Sequence, residues 1–325
     1  MFYFLQKHKV LQIIIVIILM IFMCIHLFSA SINYNFFEPN LPFSKAIADG
    51  MAMHTGLYRG MILLAILLEC FLLYNYFKKG AFTDNSTFFP IIWFLVFNTF
   101  SCFLFPLSPI FLINLAILFL LNIHTSTSDA RLKIQILISG ALISLACFYD
   151  ITAIFLLIYI IISLAINRLE KARDVMVLLI GFLLPILYAG TVYFFQGKFA
   201  DFTAIWHNVH FHPAIFAMQK ISTVMIICLI VFAVMIPYII IQLKLLFDNK
   251  LIVIRKRYIS LVVLLFTLLV MILFSQVPLP YSLAYCAVPI TYFLTALIPE
   301  KKFSVTKEVA IALFAATLIV MSLGL

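Results

Sequence analysis

Twelve acidic residues are spread over 325 positions, few enough that each can be asked what chemistry it could do. Glu38 and Asp49 lie in a stretch, residues 30–56, that mixes aromatic and polar side chains. A second such stretch, residues 196–220, holds Lys198, Asp201 and the run WHNVHFHP with His207, His210 and His212. Asp150 is the only charge in ALISLACFYDITAIFLLIYI, residues 141–160. A carboxylate beside an acceptor hydroxyl can serve as general base, or it can orient a metal. Glu38, Asp49 and Asp150 are therefore the candidate catalytic groups. Arg59, Lys198, Asp201 and the three histidines are the candidate substrate contacts, the cations suiting a phosphate.

The histidines do not make a metal centre by themselves. On a helix His207 and His210 share a face, His212 points elsewhere, and Pro213 interrupts the pattern. A catalytic zinc needs three directed ligands, and only Asp201 is near enough in sequence to add one. No metal site is assigned, and a divalent ion is the one cofactor these residues would admit. No phosphate loop, Walker motif or GxSxG occurs, and nine scattered glycines argue against a nucleotide cradle.

Two acids interrupt apolar runs. At the centre of a bilayer Asp150 would cost about 2.5–3.5 kcal/mol. At a turn between two helices it can instead cap the second one by accepting backbone N–H bonds. The alternative is a carboxylate facing an outer cavity. Glu69 sits deep inside GMILLAILLECFLLYNYF, residues 60–77. An acid so placed points by default to function, facing the bundle interior. Its alternatives are a proton-bearing Glu bonded to a neighbouring helix, or one reaching toward Lys78 and Lys79. Asn98 and Asn114 would be its cross-helix partners, or simply packing glue. Asp84, Asp129, Glu170, Asp174, Asp248, Glu300 and Glu308 fall among Lys and Arg and read as solvated loop charges.

The elements that must position these groups follow from composition. The chain is 66% hydrophobic and 10% charged, with a mean hydropathy of +1.22, too apolar to cover a water-facing surface. Its net charge of +9 would suggest nucleic acid in a soluble chain, but the basic residues cluster in short loops, as membrane topology requires. RKR, residues 255–257, reads as one such loop meeting anionic headgroups. Six cysteines lie in apolar segments without CxxC spacing and read as small hydrophobes. The N-terminal apolar run is longer than a signal-peptide core, and Phe28 occupies a position that cleavage wants small, so it reads as an uncleaved first helix.

Apolar segments of spanning length fall at 10–29, 57–76, 87–105, 109–124, 134–149, 151–167, 174–195, 221–243, 258–275, 281–298 and 308–325. The expectation is an all-α polytopic transmembrane bundle of about eleven spans, one integral domain over residues 1–325. With the N-terminus in the cytoplasm, every Lys and Arg except Lys45, Arg59, Lys198 and Lys220 falls inside, as the positive-inside rule requires. The stretches 30–56 and 196–220 are then extracytoplasmic, the first with room for a surface helix over 42–53. The C-terminus lies outside.

Four stretches carry a resemblance. They are NSTFFPIIWFLVFNTFSCFLFPLSPIFLINLAILFLL (85–121), GALISLACFYDITAIFLLIYIIISLAINR (140–168), VLLIGFLLPILYAGTVYFFQGKFADF (177–202) and YSLAYCAVPITYFL (281–294). Together they resemble an uncharacterised bacterial family of multi-pass membrane proteins, the domain-of-unknown-function family numbered 6427. The resemblance covers the last three-quarters of the chain. It implies the fold and no activity, and Asp150 stands where the family pattern has an aromatic-then-Pro or Trp turn, so no role for Asp150 carries over.

Functionally the layout points to an integral protein of a bacterial cytoplasmic membrane. Its expected action is on a polyprenyl-phosphate-linked glycan at the extracytoplasmic face, as in membrane glycosyltransferases with acids in a large first outer loop. The partners expected are membrane lipids and that lipid-linked sugar, with other membrane proteins and no nucleic acid. A non-catalytic subunit of an envelope complex and a proton-coupled transporter or flippase are the alternatives.

Overall fold

The computed structural model describes residues 8–29, 55–80, 88–101, 113–118, 129–148, 150–166, 172–200, 202–203, 252–275 and 283–297, with scattered helical positions between 230 and 244. Among these residues there is no strand. The helices are α1 (Lys9–Ser29), α2 (Thr55–Gly80), α3 (Phe89–Ser101), α4 (Asp129–Cys147), α5 (Phe155–Ile166), α6 (Ala172–Phe195), α7 (Ile252–Phe274) and α8 (Ala287–Leu297), besides a helical stretch at 113–118. Single-turn 3₁₀ helices, Ile151–Ile154 and Leu283–Cys286, lead into α5 and α8. The last expected span, 308–325, and the 42–53 surface helix lie outside the described residues.

Two expectations about charge need correction. Arg255, Lys256 and Arg257 are not in a loop but in the first turns of α7, and Lys133 and Arg173 likewise lie within α4 and α6. Hydropathy marks where an apolar run stops, whereas backbone hydrogen bonding continues another turn and long basic side chains carry their charge past it. Asp174 is not a solvated loop charge. It lies in the first turn of α6 at 4% exposure, where a negative charge meets the partial positive charge of the helix start.

α8 is the centre of the bundle. Every residue from 285 to 295 is buried, the signature of a helix enclosed on all sides. It packs on α3 and α7, while α3 also packs on α1 and α2. The Tyr292 ring stacks on Phe77 of α2 at 4.1 Å and lies 5.4 Å from Tyr76.

The two tightest helix pairs have opposite senses. Asp150, just before α5, bonds Ser275, just after α7, while Tyr159 and Ser163 of α5 bond Ser260 near the start of α7. These helices are therefore antiparallel. In the other pair Gly140 of α4 meets Leu178 and Phe182 of α6, and Phe148 beyond α4 joins the cluster of Ala189 and Phe202 at the far end of α6. Those contacts advance together, so α4 and α6 run parallel.

What lets α4 and α6 approach is the absence of side chains. A Cβ on Gly140 would stand 2.5 Å from the Leu178 carbonyl oxygen, and one on Gly181 would overlap the Leu137 carbonyl. Small residues, Gly140 and Ser144 four apart on α4 and Gly181 and Ala189 eight apart on α6, make this a close contact of apolar helices through small residues. Pro185 falls within the same face and donates no bond back to Gly181.

Outward faces are as apolar as inward ones. On α1 the exposed residues are Val10, Ile13, Ile14, Ile17, Ile18, Ile21, Phe22 and Ile25, a helical stripe. On α6 the stripe runs Met176, Leu179, Ile180, Leu183, Leu184, Leu187 and Tyr188. α6 and the segment Ile254–Phe274 of α7 are long and apolar enough to cross a membrane, α6 being about 36 Å long at 1.5 Å per residue.

Because the atoms opposing Gly181 are backbone, a larger residue there cannot be accommodated by a rotamer change. Gly181→Leu is expected to cost about 3 kcal/mol, the upper end for an overpacked contact. Denaturant unfolding of the detergent-solubilised protein checks this, with Leu183→Ala on the exposed stripe as the near-neutral comparison.

Candidate functional site

The break between α4 and α5 is made by Asp150. Its backbone is extended, φ −142° and ψ 106°, so the chain leaves α4 and re-enters a helix within a few residues. The Asp150 N–H still donates to the Ala146 carbonyl at 2.9 Å, and its own carbonyl accepts from the Ala153 N–H at 3.0 Å. The side chain completes the cap: Oδ1 accepts the Thr152 N–H at 3.0 Å and the Thr152 hydroxyl at 2.5 Å.

The second carboxylate oxygen reaches across the fold. Oδ2 accepts from the Ser275 hydroxyl at 2.6 Å and from the Tyr285 hydroxyl at 2.9 Å. Four donors thus fill the roughly four acceptor positions of a carboxylate. Asp150 is 6% exposed, and Thr152, Ser275 and Tyr285 are buried. One side chain ties the start of α5, the end of α7 and the 3₁₀ turn that opens α8. The four bonds converge on one side chain, so the junction joins parts of the chain that are far apart in sequence. The capping expectation holds and is incomplete: Ser275 and Tyr285 lie 125 and 135 positions away.

A neutral counterpart joins the same helices nearer their other ends. The Ser163 and Ser260 hydroxyls are 2.8 Å apart and Tyr159 reaches Ser260 at 3.2 Å, all three buried.

Glu69 contrasts with Asp150. It lies on the buried face of α2 with Ile66, Cys70, Leu73, Tyr76 and Phe77, while Leu64, Leu67, Leu68 and Phe71 face outward. Glu69 is therefore turned into the bundle, at 2% exposure, and does not reach toward Lys78. Its Oε1 has no hydrogen-bond partner. Asn114, in the 113–118 stretch, is 1% exposed with both amide atoms unbonded. Asn98 lies on α3.

Of the candidate substrate contacts, Arg59 sits half-buried near the start of α2. Lys198 is exposed just beyond α6, positioned by a helix stop at Gly197, whose φ of +69° only glycine adopts readily. There the Lys198 N–H donates to Tyr193 at 2.9 Å and the Gly197 N–H to Phe194 at 3.0 Å, a Schellman closure. Phe202 then folds back onto Gly190. Glu38, Asp49, Asp201, His207, His210 and His212 lie outside the described residues, and no metal-binding group of His, Cys, Asp or Glu occurs among the described ones.

No family model matches the chain, and no curated protein and no solved structure matches it.

Removing one arm of the Asp150 junction measures it. Tyr285→Phe, which keeps the ring, is expected to cost about 1.5–3 kcal/mol, the value of a bond to a charged acceptor. Asp150→Ala should cost more than Tyr285→Phe because it strands three buried hydroxyls, those of Thr152, Ser275 and Tyr285. In the pair Asp150→Ala and Tyr285→Phe the second change should add little to the first. Unfolding of the purified protein and its variants reads all three.

Proposed function

We propose that the chain is a multi-pass integral protein of a bacterial cytoplasmic membrane, with the N-terminus inside and about eleven spans. We propose further that it acts on a polyprenyl-phosphate-linked glycan at the extracytoplasmic face, in the manner of a membrane glycosyltransferase. The observation that carries the membrane reading is the pair of exposed apolar stripes on α1 and α6. Apolar surface of that extent on the outside of a fold marks contact with lipid or a partner, and α6 exceeds the roughly 30 Å of a hydrocarbon core.

The helix directions support the same reading. Alternate crossing of successive spans requires α4 and α6 to run the same way and α5 and α7 to oppose each other, as their contacts do. The resemblance to the 6427 family adds a multi-pass fold and no reaction.

The chemistry is assigned by elimination. The Asp150 oxygens are filled by protein donors, so Asp150 belongs to the fold and the general-base role falls to Glu38 or Asp49. Arg59, Lys198, Asp201, His207, His210 and His212 would meet the substrate and its phosphate, and a divalent ion would be the cofactor if one is used. One observation favours a second reading, a non-catalytic subunit of an envelope complex: the outer-end carboxylate is wholly consumed in holding helices together.

Glu38→Gln and Asp49→Asn separate these readings. For the enzyme, transfer from a polyprenyl-phosphate-linked sugar should fall about a hundredfold or more in at least one of them, the usual contribution of a general base. Both proteins should remain assembled by native mass spectrometry. Full activity in both removes the glycosyltransferase reading, and a defined partner chain co-purifying with bulk phospholipid alone supports the subunit.

A further inference from the structure

The bundle treats its two intruding acids in opposite ways. Asp150 receives four donors from three segments, whereas Glu69 is more deeply buried and its Oε1 has none. Glu69 takes part in no ion pair among the described residues. A buried carboxylate without a cation or donors is far costlier than the neutral acid, so Glu69 holds a proton in this arrangement. A neutral acid with an unbonded oxygen still forfeits hydrogen bonding that water would supply. Such groups persist where they have a task, as intramembrane acids on proton routes do.

We propose that Glu69 is a proton-binding site inside the bundle, exchanging its proton with one face of the membrane. The ligand is the proton itself, because among the described residues no cation pairs with the group. The elements packed on α2 supply few competitors. α3 has no titratable residue. α1 carries Lys9, the half-buried Cys24 and His26, and Lys9 lies at the end of α1 where Gln12 bonds the Phe88 N–H, beside the Tyr74 ring. From α8 comes Tyr292, beside Tyr76, with Arg257 of α7 within electrostatic reach of both phenols. On α2 itself Cys70 is adjacent, Tyr74 and Tyr76 follow on the next turns, and Lys78 is exposed.

The position suits a carrier. Tyr76 lies on the same face two turns along, about 10 Å by helix rise, and its ring faces Tyr292. Glu69 therefore stands between an apolar stretch of α2 and a pair of buried phenols. The proposal rests on the multi-pass membrane reading but not on the glycan chemistry of the outer loops.

A hydrophobic carbodiimide tests it, since such reagents enter lipid and react with protonated carboxyl groups. The full chain is reconstituted into phosphatidylethanolamine–phosphatidylglycerol vesicles and treated with dicyclohexylcarbodiimide. Label is then located by peptide mass spectrometry, with the pH of the lumen and of the outside set independently. The expected result is label on Glu69 that falls severalfold when one face, and not the other, is made alkaline. Glu69→Asp should keep a labelled carboxyl and Glu69→Gln should lose it, but the wild-type measurement stands without either variant. No label at Glu69, or label indifferent to pH on both faces, overturns the proposal and leaves a sealed structural acid. Failure of the protein to enter the vesicles would overturn the membrane reading as well.

Discussion

A polar group buried in an apolar bundle has only other buried groups to bond, and the architecture follows from where such partners are found. Asp150 is the strongest case. A carboxylate away from water must be surrounded by donors, and here they come from Thr152, Ser275 and Tyr285. Meeting that need fixes the angle at which α5 leaves α4, the height at which α7 ends and the turn that starts α8. Some hydroxyls are satisfied within their own helix, as Ser139 is by the Gln135 carbonyl and Thr267 by that of Val263, which leaves those helix faces smooth and apolar.

Smooth faces explain the rest of the packing. Where hydrophobic side chains are equally content inside and outside, burial alone does not choose which helices pair. Close approach does, and glycine permits it: α4 and α6 touch backbone to backbone at Gly140 and Gly181. The enclosed helix α8 shows the complementary solution, with aromatic rings of Phe77, Tyr76 and Tyr292 filling the gap that larger spacing leaves.

The sequence made the helices legible and their partnerships illegible, for one reason. Long apolar runs identify α1, α2 and α6 to within four residues at each end, α7 starts six residues before its run, and Asp150 stands out as a turn because it is the only charge in its run. A run that is apolar all round has no periodicity, however, so nothing in it says which face of α2 holds Glu69 or that Ser275 and Tyr285 lie beside Asp150. Ser and Tyr in a hydrophobic helix carry no mark of having a distant partner. Asp174 was misjudged for a related reason: its charged neighbours suggested water, whereas the start of a helix can shelter an acid. The acids and histidines of 30–56 and 196–220 lie outside the described residues, so the structure neither joins nor separates them.

The two bonded contacts between α5 and α7 have a mechanical meaning. A pair of helices pinned at a single level can pivot or slip by a turn. Here the pins are the carboxylate at one end and the Tyr159–Ser163–Ser260 hydroxyls further along. Any slip would break both at once, in surroundings that offer no replacement partner. α5 and α7 thus behave as one rigid strut, and the glycine-joined α4 and α6 as another, so that neither pair can shear internally without losing these contacts.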